Sequence, residues 1–171
     1  MSTGEIDRMV NAALKYADHG WPVFPLHTIE NGRCTCSAGA RCGSNSGKHP
    51  RTKHGLHDAT ADERKIREWW KRWPDANIAV PTGAISGLTA LDIDPRNGGE
   101  ESLAALLHEF GPLPDTLEQL TGGGGRHIIF KHPGGTVPSR PLRDGIDIKA
   151  DGGYIVVAPS LHKSGRRYVW Q

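Results

Sequence analysis

Three features of the sequence predict an α+β fold with a largely antiparallel sheet. Helical and strand patterns alternate through the first eighty or so residues, whereas beyond residue 111 the pattern is one of paired strands. Glycine turns at 122–125 and 151–153 separate those strands. With 22 glycines and 12 prolines in 171 residues, the elements must be short and the turns many. A chain of this length supports one domain, read here as two lobes: an N-terminal α/β lobe over about 1–80 and a sheet lobe over about 81–171. Hydrophobic residues at 36% and charged residues at 23% suit a soluble globular protein. No apolar run reaches the length of a membrane span and no basic-then-apolar leader opens the chain, so a cytoplasmic protein without membrane contact is expected.

Residues 4–18 repeat Ile6, Met9, Val10, Ala13, Leu14 and Ala17 at helical spacing. Ser2 with Glu5 offers a capping box, and Gly20 stands where a glycine cap belongs. A short strand follows over 21–26, its prolines favouring a sheet edge.

The loop over 33–54 is unlike the rest. All three cysteines, Cys34, Cys36 and Cys42, fall within nine residues and precede Gly47-Lys48-His49-Pro50. An odd number of cysteines in a cytosolic chain argues against a disulfide framework. Three thiolates and the His49 imidazole complete a tetrahedral zinc shell, with His54 or His57 as alternative fourth ligands. Such a closed site is a structural brace, and the alternative is three reduced cysteines in a mobile loop. Arg41, Lys48, Arg51 and Lys53 around it suit contact with a phosphate backbone.

Thr60 and Glu63 read as a capping box for a helix over 61–73, with Ile66, Trp69, Trp70 and Trp73 as its apolar stripe and Pro74 as its stop. Tryptophans at this spacing read as core before they read as base-stacking platforms. A second short strand over 76–81 leads through Gly83 and Gly87 into Gly87-Leu88-Thr89-Ala90-Leu91. On that strand Asp92 and Asp94 project together while Leu91 and Ile93 point to the other face, and Pro95 ends it. Two neighbouring carboxylates repel unless a cation lies between them, and hard oxygen ligands suit magnesium or manganese. Two solvated aspartates at a strand end are the plainer alternative.

Leu103, Leu106, Leu107 and Phe110 give a helix that stops at Gly111. Residues 116–121 and 126–130 then form a hairpin about four glycines, a turn through which backbone can approach a phosphate. His127 lies beside that turn, opposite Ile128 and Phe130. A second hairpin is expected between 145–149, where Asp147 and Lys149 share a face, and 154–158. The last strand is placed at 166–170.

Charge is unevenly spread although the net is only +2. Residues 33–73 carry a balance of +6, residues 74–125 of −7 and residues 126–171 of +5. Basic flanks about an acidic centre suit an anionic ligand held beside bound cations. If their strand faces coincide, Asp92, Asp94 and Asp147 can hold two divalent ions for in-line phosphoryl displacement.

These residues resemble the N-terminal catalytic domain of the bifunctional DNA primase/polymerases of phages and plasmids, within the archaeo-eukaryotic primase superfamily. The two acids of its first motif correspond to Asp92 and Asp94 in LDIDPRNGG. Its second motif, serine-x-histidine, corresponds to Gly125-Arg126-His127, with glycine in the serine's place. The third, a hydrophobic residue then aspartate, corresponds to Ile146-Asp147. Gly47-Lys48-His49-Pro50 with the cysteines, Trp69-Trp70 and Ala158-Pro159-Ser160 extend the likeness over nearly the whole chain. The resemblance implies a lobe similar to an RNA-recognition-motif sheet facing the zinc-bearing lobe across a cleft. It implies catalytic Mg²⁺ or Mn²⁺ on Asp92, Asp94 and Asp147, and His127 on the triphosphate, with Arg126, Lys149, Ser160 and His162 lining the same pocket. Single-stranded DNA template, primer and dNTPs or NTPs would be the substrates. A helical region and a helicase would follow in the full protein, so the chain, which ends soon after its last strand, reads as a catalytic fragment better at extending primers than at starting them. Rival readings are a metal-dependent nuclease or phosphatase using the same carboxylates, and a non-catalytic zinc-containing DNA-binding module.

Overall fold

The chain is described over residues 3–171 by a computed structural model, with side chains of the first helix described from Arg8 onward. The expected Ser2–Glu5 capping box lies outside the described residues. Helix α1 (Thr3–Asp18) buries Met9 and Ala13, and Gly20 closes it at φ 79°. Strand β1 (Phe24–Leu26) is buried throughout, and the little hairpin β2 (Ile29–Glu30) and β3 (Arg33–Cys34) opens the cysteine loop. Helix α2 (Glu63–Arg72) is capped by Asp62, whose carboxylate accepts from the Arg64 and Lys65 amides. The helix thus begins later than the Thr60 capping box would have it, because the Thr60 hydroxyl is used on the Asp62 amide. Ile66, Trp69 and Trp70 are its buried face, as their spacing dictates, and the Trp70 indole donates to the Ala76 carbonyl at 3.0 Å.

Strand β4 (Asn77–Pro81), buried at every position, pairs antiparallel with β1. Then come β5 (Leu88–Ile93), helix α3 (Gly99–Phe110), β6 (Glu118–Leu120), β7 (Arg126–Lys131), β8 (Arg140–Arg143), β9 (Ile146–Lys149), β10 (Tyr154–Val157) and β11 (Val169–Trp170). A six-stranded sheet has the order β11-β6-β7-β5-β9-β8, and a three-stranded sheet the order β1-β4-β10. Every strand pairing is antiparallel, so the protein is mixed α+β as predicted.

One expected hairpin is absent. Strand β9 pairs with β5 and with β8, which the sequence reading missed, while β10 leaves for β4 in the other sheet. The reason is visible in composition: Ile155, Val156 and Val157 are all buried, an unbroken apolar run that suits a strand covered on both faces. The half-polar β9 has no such need. The last strand is also shorter than 166–170, and Phe110 is left 74% exposed and off the α3 stripe.

Alternation along the six-stranded sheet divides its two faces. Ile93, Ile128 and Ile146 pack with Leu103 beneath α3. Leu88, Ala90 and Ile129 join the core shared with α1, α2 and the three-stranded sheet. Asp92, His127 and Asp147 lie on that second face, toward the small sheet and the cysteine loop. Among the described residues no helix is long and apolar enough to cross a membrane.

Candidate acidic cleft and cysteine cluster

One rung of the six-stranded sheet gathers the candidate residues. Asp92 of β5 stands opposite His127 of β7 on one side and Asp147 of β9 on the other, and His127 stands opposite Gln119 of β6. Directly opposed residues on antiparallel strands share a face, so Gln119, His127, Asp92 and Asp147 project together. Asp92, His127 and Asp147 line a cleft of about 400 Å³, whose wall also includes Lys48, Asp94, Arg96, His162 and Tyr168. A second hollow of about 440 Å³ shares Lys48, Asp92, His127 and Tyr168 and adds Lys149.

Asp92, Asp94 and Asp147 each have a polar partner beside them. Asp92 Oδ1 lies 3.5 Å from His127 Nε2. Burial alone would raise the Asp92 carboxyl, but the His127 hydrogen bond and the charges of Lys149 and Lys48 outweigh it and hold Asp92 below the usual carboxylate range. Asp94 sits past the end of β5, where it accepts from Arg96 Nε at 2.9 Å, Arg96 Nη2 at 2.8 Å and Asn97 Nδ2 at 3.0 Å. The Arg96 hydrogen bonds depress its carboxyl too. Asp147 Oδ2 accepts from Lys149 Nζ at 2.9 Å. Two glycines make room for Asp94: the Asp94 amide donates to Gly145 O at 2.7 Å, and a Cβ on Gly99 would lie 2.6 Å from that same oxygen.

Of the other expected ligands, His127 is buried, Lys149 faces the cleft, and His162 is buried in its wall. Arg126 and Ser160 are not brought to it. Arg126 is the next residue after the turn and alternation turns it to the α3 face, where it pairs with Glu100 at 2.8 Å and Glu118 at 3.0 Å. Ser160 is fully buried, and its hydroxyl serves the Ile78 amide at 2.9 Å. The glycine turn acts by packing as much as by openness. Gly123 and Gly125 line the cleft, but a Cβ on Gly122 would collide with the His162 side chain, and one on Gly125 with the Ile93 carbonyl. Glycine in place of serine at 125 therefore follows from that close backbone approach.

Sequence reasoning missed Arg96 and Tyr168 as cleft residues, and Gln119 behind them, and gave Lys48 another role. Lys48 is half-buried at the cleft wall, and burial pushes its ammonium down from its usual value although Asp92 partly offsets this. Its place is set by the neighbouring backbone: the Tyr154 hydroxyl donates to Lys48 O at 2.9 Å and Asn77 Nδ2 to Gly47 O at 2.9 Å. Its position beside His49 in Gly47-Lys48-His49-Pro50 was the available signal.

Burial, with the charges of Lys48, Lys163, Arg96 and Arg166, drives the His162 imidazole from its ordinary 6.5 down to about 4. In the unfolded chain that histidine binds a proton at higher pH than in the fold. It therefore contributes stability that is present above about 6.5 and lost as pH falls toward about 4. The expected result is that His162→Gln flattens the acid limb of a stability-versus-pH curve, read by urea unfolding between those values. An unchanged slope would refute it.

The cysteine loop holds the second cluster. The Sγ atoms of Cys34, Cys36 and Cys42 lie within 4.8 Å of one another, a group that could hold a metal ion. None is in a disulfide. His49 Nε2 is 2.6 Å from Cys42 Sγ, whereas His54 is engaged with Asp58 at 3.1 Å, so His49 is the fourth candidate ligand. The Gly47 amide donates to Cys34 Sγ at 3.4 Å. Within the cluster, burial pushes the Cys42 thiol up to about 11, reinforced by its neighbour Cys36. The Cys36 thiol moves down, its burial outweighed by hydrogen bonds from Cys34, Cys42 and the Ala38 and Gly39 amides. Opposed shifts are what adjacent thiols show when their charges compete, and a bound cation relieves that competition.

Residues 13–171 match the family model described as bifunctional DNA primase/polymerase, N-terminal. No curated protein matches the chain.

Proposed function

The chain belongs to the bifunctional DNA primase/polymerase N-terminal family and is thus a nucleotidyltransferase of the primase/polymerase kind, and we propose that it performs this transfer in the cleft around Asp92. The observation that carries the reading is the rung: His127, Asp92 and Asp147 in register on three adjacent strands, facing one space. Two carboxylates on that rung and Asp94 just past the end of β5 offer hard oxygen donors, and Lys48, Arg96, Lys149 and His162 surround them. Charge of both signs in one small cleft suits a triphosphate carried with divalent ions.

Magnesium or manganese held by Asp92, Asp94 and Asp147 would supply charge stabilisation to the attacking and departing oxygens. The rest falls to the chain. Lys48, Lys149 and the two histidines bind and orient the triphosphate, and Arg96 releases Asp94 to a competing cation. The 3′-hydroxyl of a primer attacks the α-phosphorus, the bond to the β-phosphate oxygen breaks, and pyrophosphate leaves while the hydroxyl proton passes to solvent. No side chain becomes covalently attached. In this reading the six-stranded sheet with α3 is the lobe similar to an RNA-recognition motif. The cysteine cluster with His49 holds a structural zinc that seats Lys48, and the chain serves phage or plasmid replication on single-stranded DNA. A nuclease would need an activated water and no triphosphate.

Primer extension on single-stranded DNA, run with dNTPs or NTPs and with each metal, tests the proposal. Growth of the primer that requires added triphosphate and divalent metal is expected. Degradation of the primer, independent of added nucleotides, would overturn the reading in favour of a nuclease.

A further inference from the structure

The rung does not end at His127. Gln119 stands opposite it on β6, fully buried, with every polar atom of its amide partnered. Gln119 Oε1 accepts from the Ala158 amide at 2.7 Å. Gln119 Nε2 donates to the Val156 carbonyl at 2.9 Å and reaches His127 Nδ1 at 2.9 Å. The amide cannot be turned over. Reversed, it would set its NH₂ against the Ala158 N–H and its oxygen against the Val156 carbonyl, two repulsive contacts in place of two hydrogen bonds. An amide NH₂ only donates, so His127 Nδ1 is the acceptor, and the proton of the neutral ring sits on Nε2. That nitrogen is the one near Asp92, at 3.5 Å.

We propose that Gln119 is a positioning residue that holds His127 in its Nε2–H tautomer, so that His127 meets phosphate oxygens as a hydrogen-bond donor and is closed to metal coordination. Neither nitrogen then offers a lone pair to a cation: Nε2 carries the hydrogen and Nδ1 is taken by Gln119. The role rests on the reading of the cleft as a nucleotide site, while the tautomer rests on the hydrogen bonds alone. His162 is fixed in the same sense by different means. Its Nδ1 accepts from the Ser164 backbone N–H at 3.1 Å, and a backbone amide can only donate. The buried Tyr168 ring packs against both imidazoles, with centroids 6.2 Å from His127 and 6.3 Å from His162. The cleft thus carries two imidazole donors whose hydrogens are set before a nucleotide arrives, which avoids reorganisation on binding.

Long-range ¹⁵N–¹H correlation spectra of the full chain, recorded at alkaline pH where imidazoles are neutral, read the tautomer directly. His127 is expected to show a protonated Nε2 and a pyridine-like Nδ1. In Gln119→Glu the carboxylate can only accept, so the pattern should switch to Nδ1–H. In Gln119→Met, of similar length but without donor or acceptor, both tautomers should appear. Affinity for a dNTP, titrated in the same samples, should fall roughly tenfold or more in Gln119→Glu, the loss of one hydrogen bond to a charged group. It should fall only about twofold in Gln119→Met, where part of the population keeps the Nε2–H form. An Nδ1-protonated ring in the unaltered chain overturns the inference, and so does a folded Gln119→Glu protein with an unswitched pattern. If the tautomer is as stated and no nucleotide binds, the reading of the cleft falls while the proton placement stands.

Discussion

Asp92→Asn is expected to reduce nucleotide incorporation at least about a thousandfold, a rise of ~4 kcal/mol in the barrier, while the protein stays folded. Asp92 is the centre of the rung, with His127 on one side and Asp147 on the other. Asparagine keeps the shape and one acceptor but removes the charge on which metal binding depends. The change costs the fold little, because an amide of the same size can still hydrogen-bond His127. The depressed Asp92 carboxyl is ionised throughout the neutral range, so the wild-type cleft keeps this charge at any pH used for the assay. Primer extension under single-turnover conditions, with thermal unfolding as the control for folding, makes the check. Extension within tenfold of wild type by a folded Asp92→Asn protein would remove Asp92 from the chemistry.

Much of this cleft was legible in the sequence because strand alternation is a local property. Asp92 against Leu91 and Ile93, Asp147 against Ile146, and His127 against Ile128 each declare a polar face from neighbours alone. Register is not local. That the three faces meet in one rung depends on pairings between β5, β7 and β9, which no single segment encodes. The same limit explains the errors. The segments at 146–149 and 154–157 look like a hairpin because a glycine turn lies between them, yet their partners were chosen by burial in two different sheets. The resemblance implied a place for Arg126 in the pocket, although the period of two that puts His127 in the cleft puts its neighbour outside. The resemblance implied a place for Ser160 in the pocket too, but its hydroxyl serves the Ile78 amide. Gln119 was invisible for a related reason: its meaning is a hydrogen bond across a strand pair, set by the backbone of Val156 and Ala158 far along the chain.

Removing metal from the cysteine cluster is expected to damage stability first and nucleotide binding second. Protein purified without added zinc should contain about one equivalent, since structural zinc sites bind tightly, at about 10–16 kcal/mol in small peptides. The loop has little else to hold it. It lacks a buried apolar cluster of its own, Cys34 being the buried hydrophobic residue among those at 33–54. Its three sulfurs and His49 close on one another from separate turns of chain. Without the ion, thiols that compete for charge at this spacing no longer have a reason to converge. Cys36→Ser, or a strong chelator, should therefore lower the melting temperature by about 2–4 °C for each kcal/mol of the binding energy that reaches the global transition. Loss of the loop geometry also releases Lys48, which follows Gly47 and precedes the ligand His49. The cleft then loses a cation that faces Asp92 across it, and dNTP affinity should weaken with the melting temperature. Lys48→Ala separates the two effects: affinity should fall about tenfold at nearly unchanged melting temperature, the worth of one contact to a charged phosphate. Elemental analysis, thermal unfolding and nucleotide titration on the same three proteins decide the matter. A metal-free chain with unaltered melting temperature would show that the cluster is no brace. A Lys48→Ala chain with wild-type affinity would show that the loop holds its lysine to no purpose in the cleft.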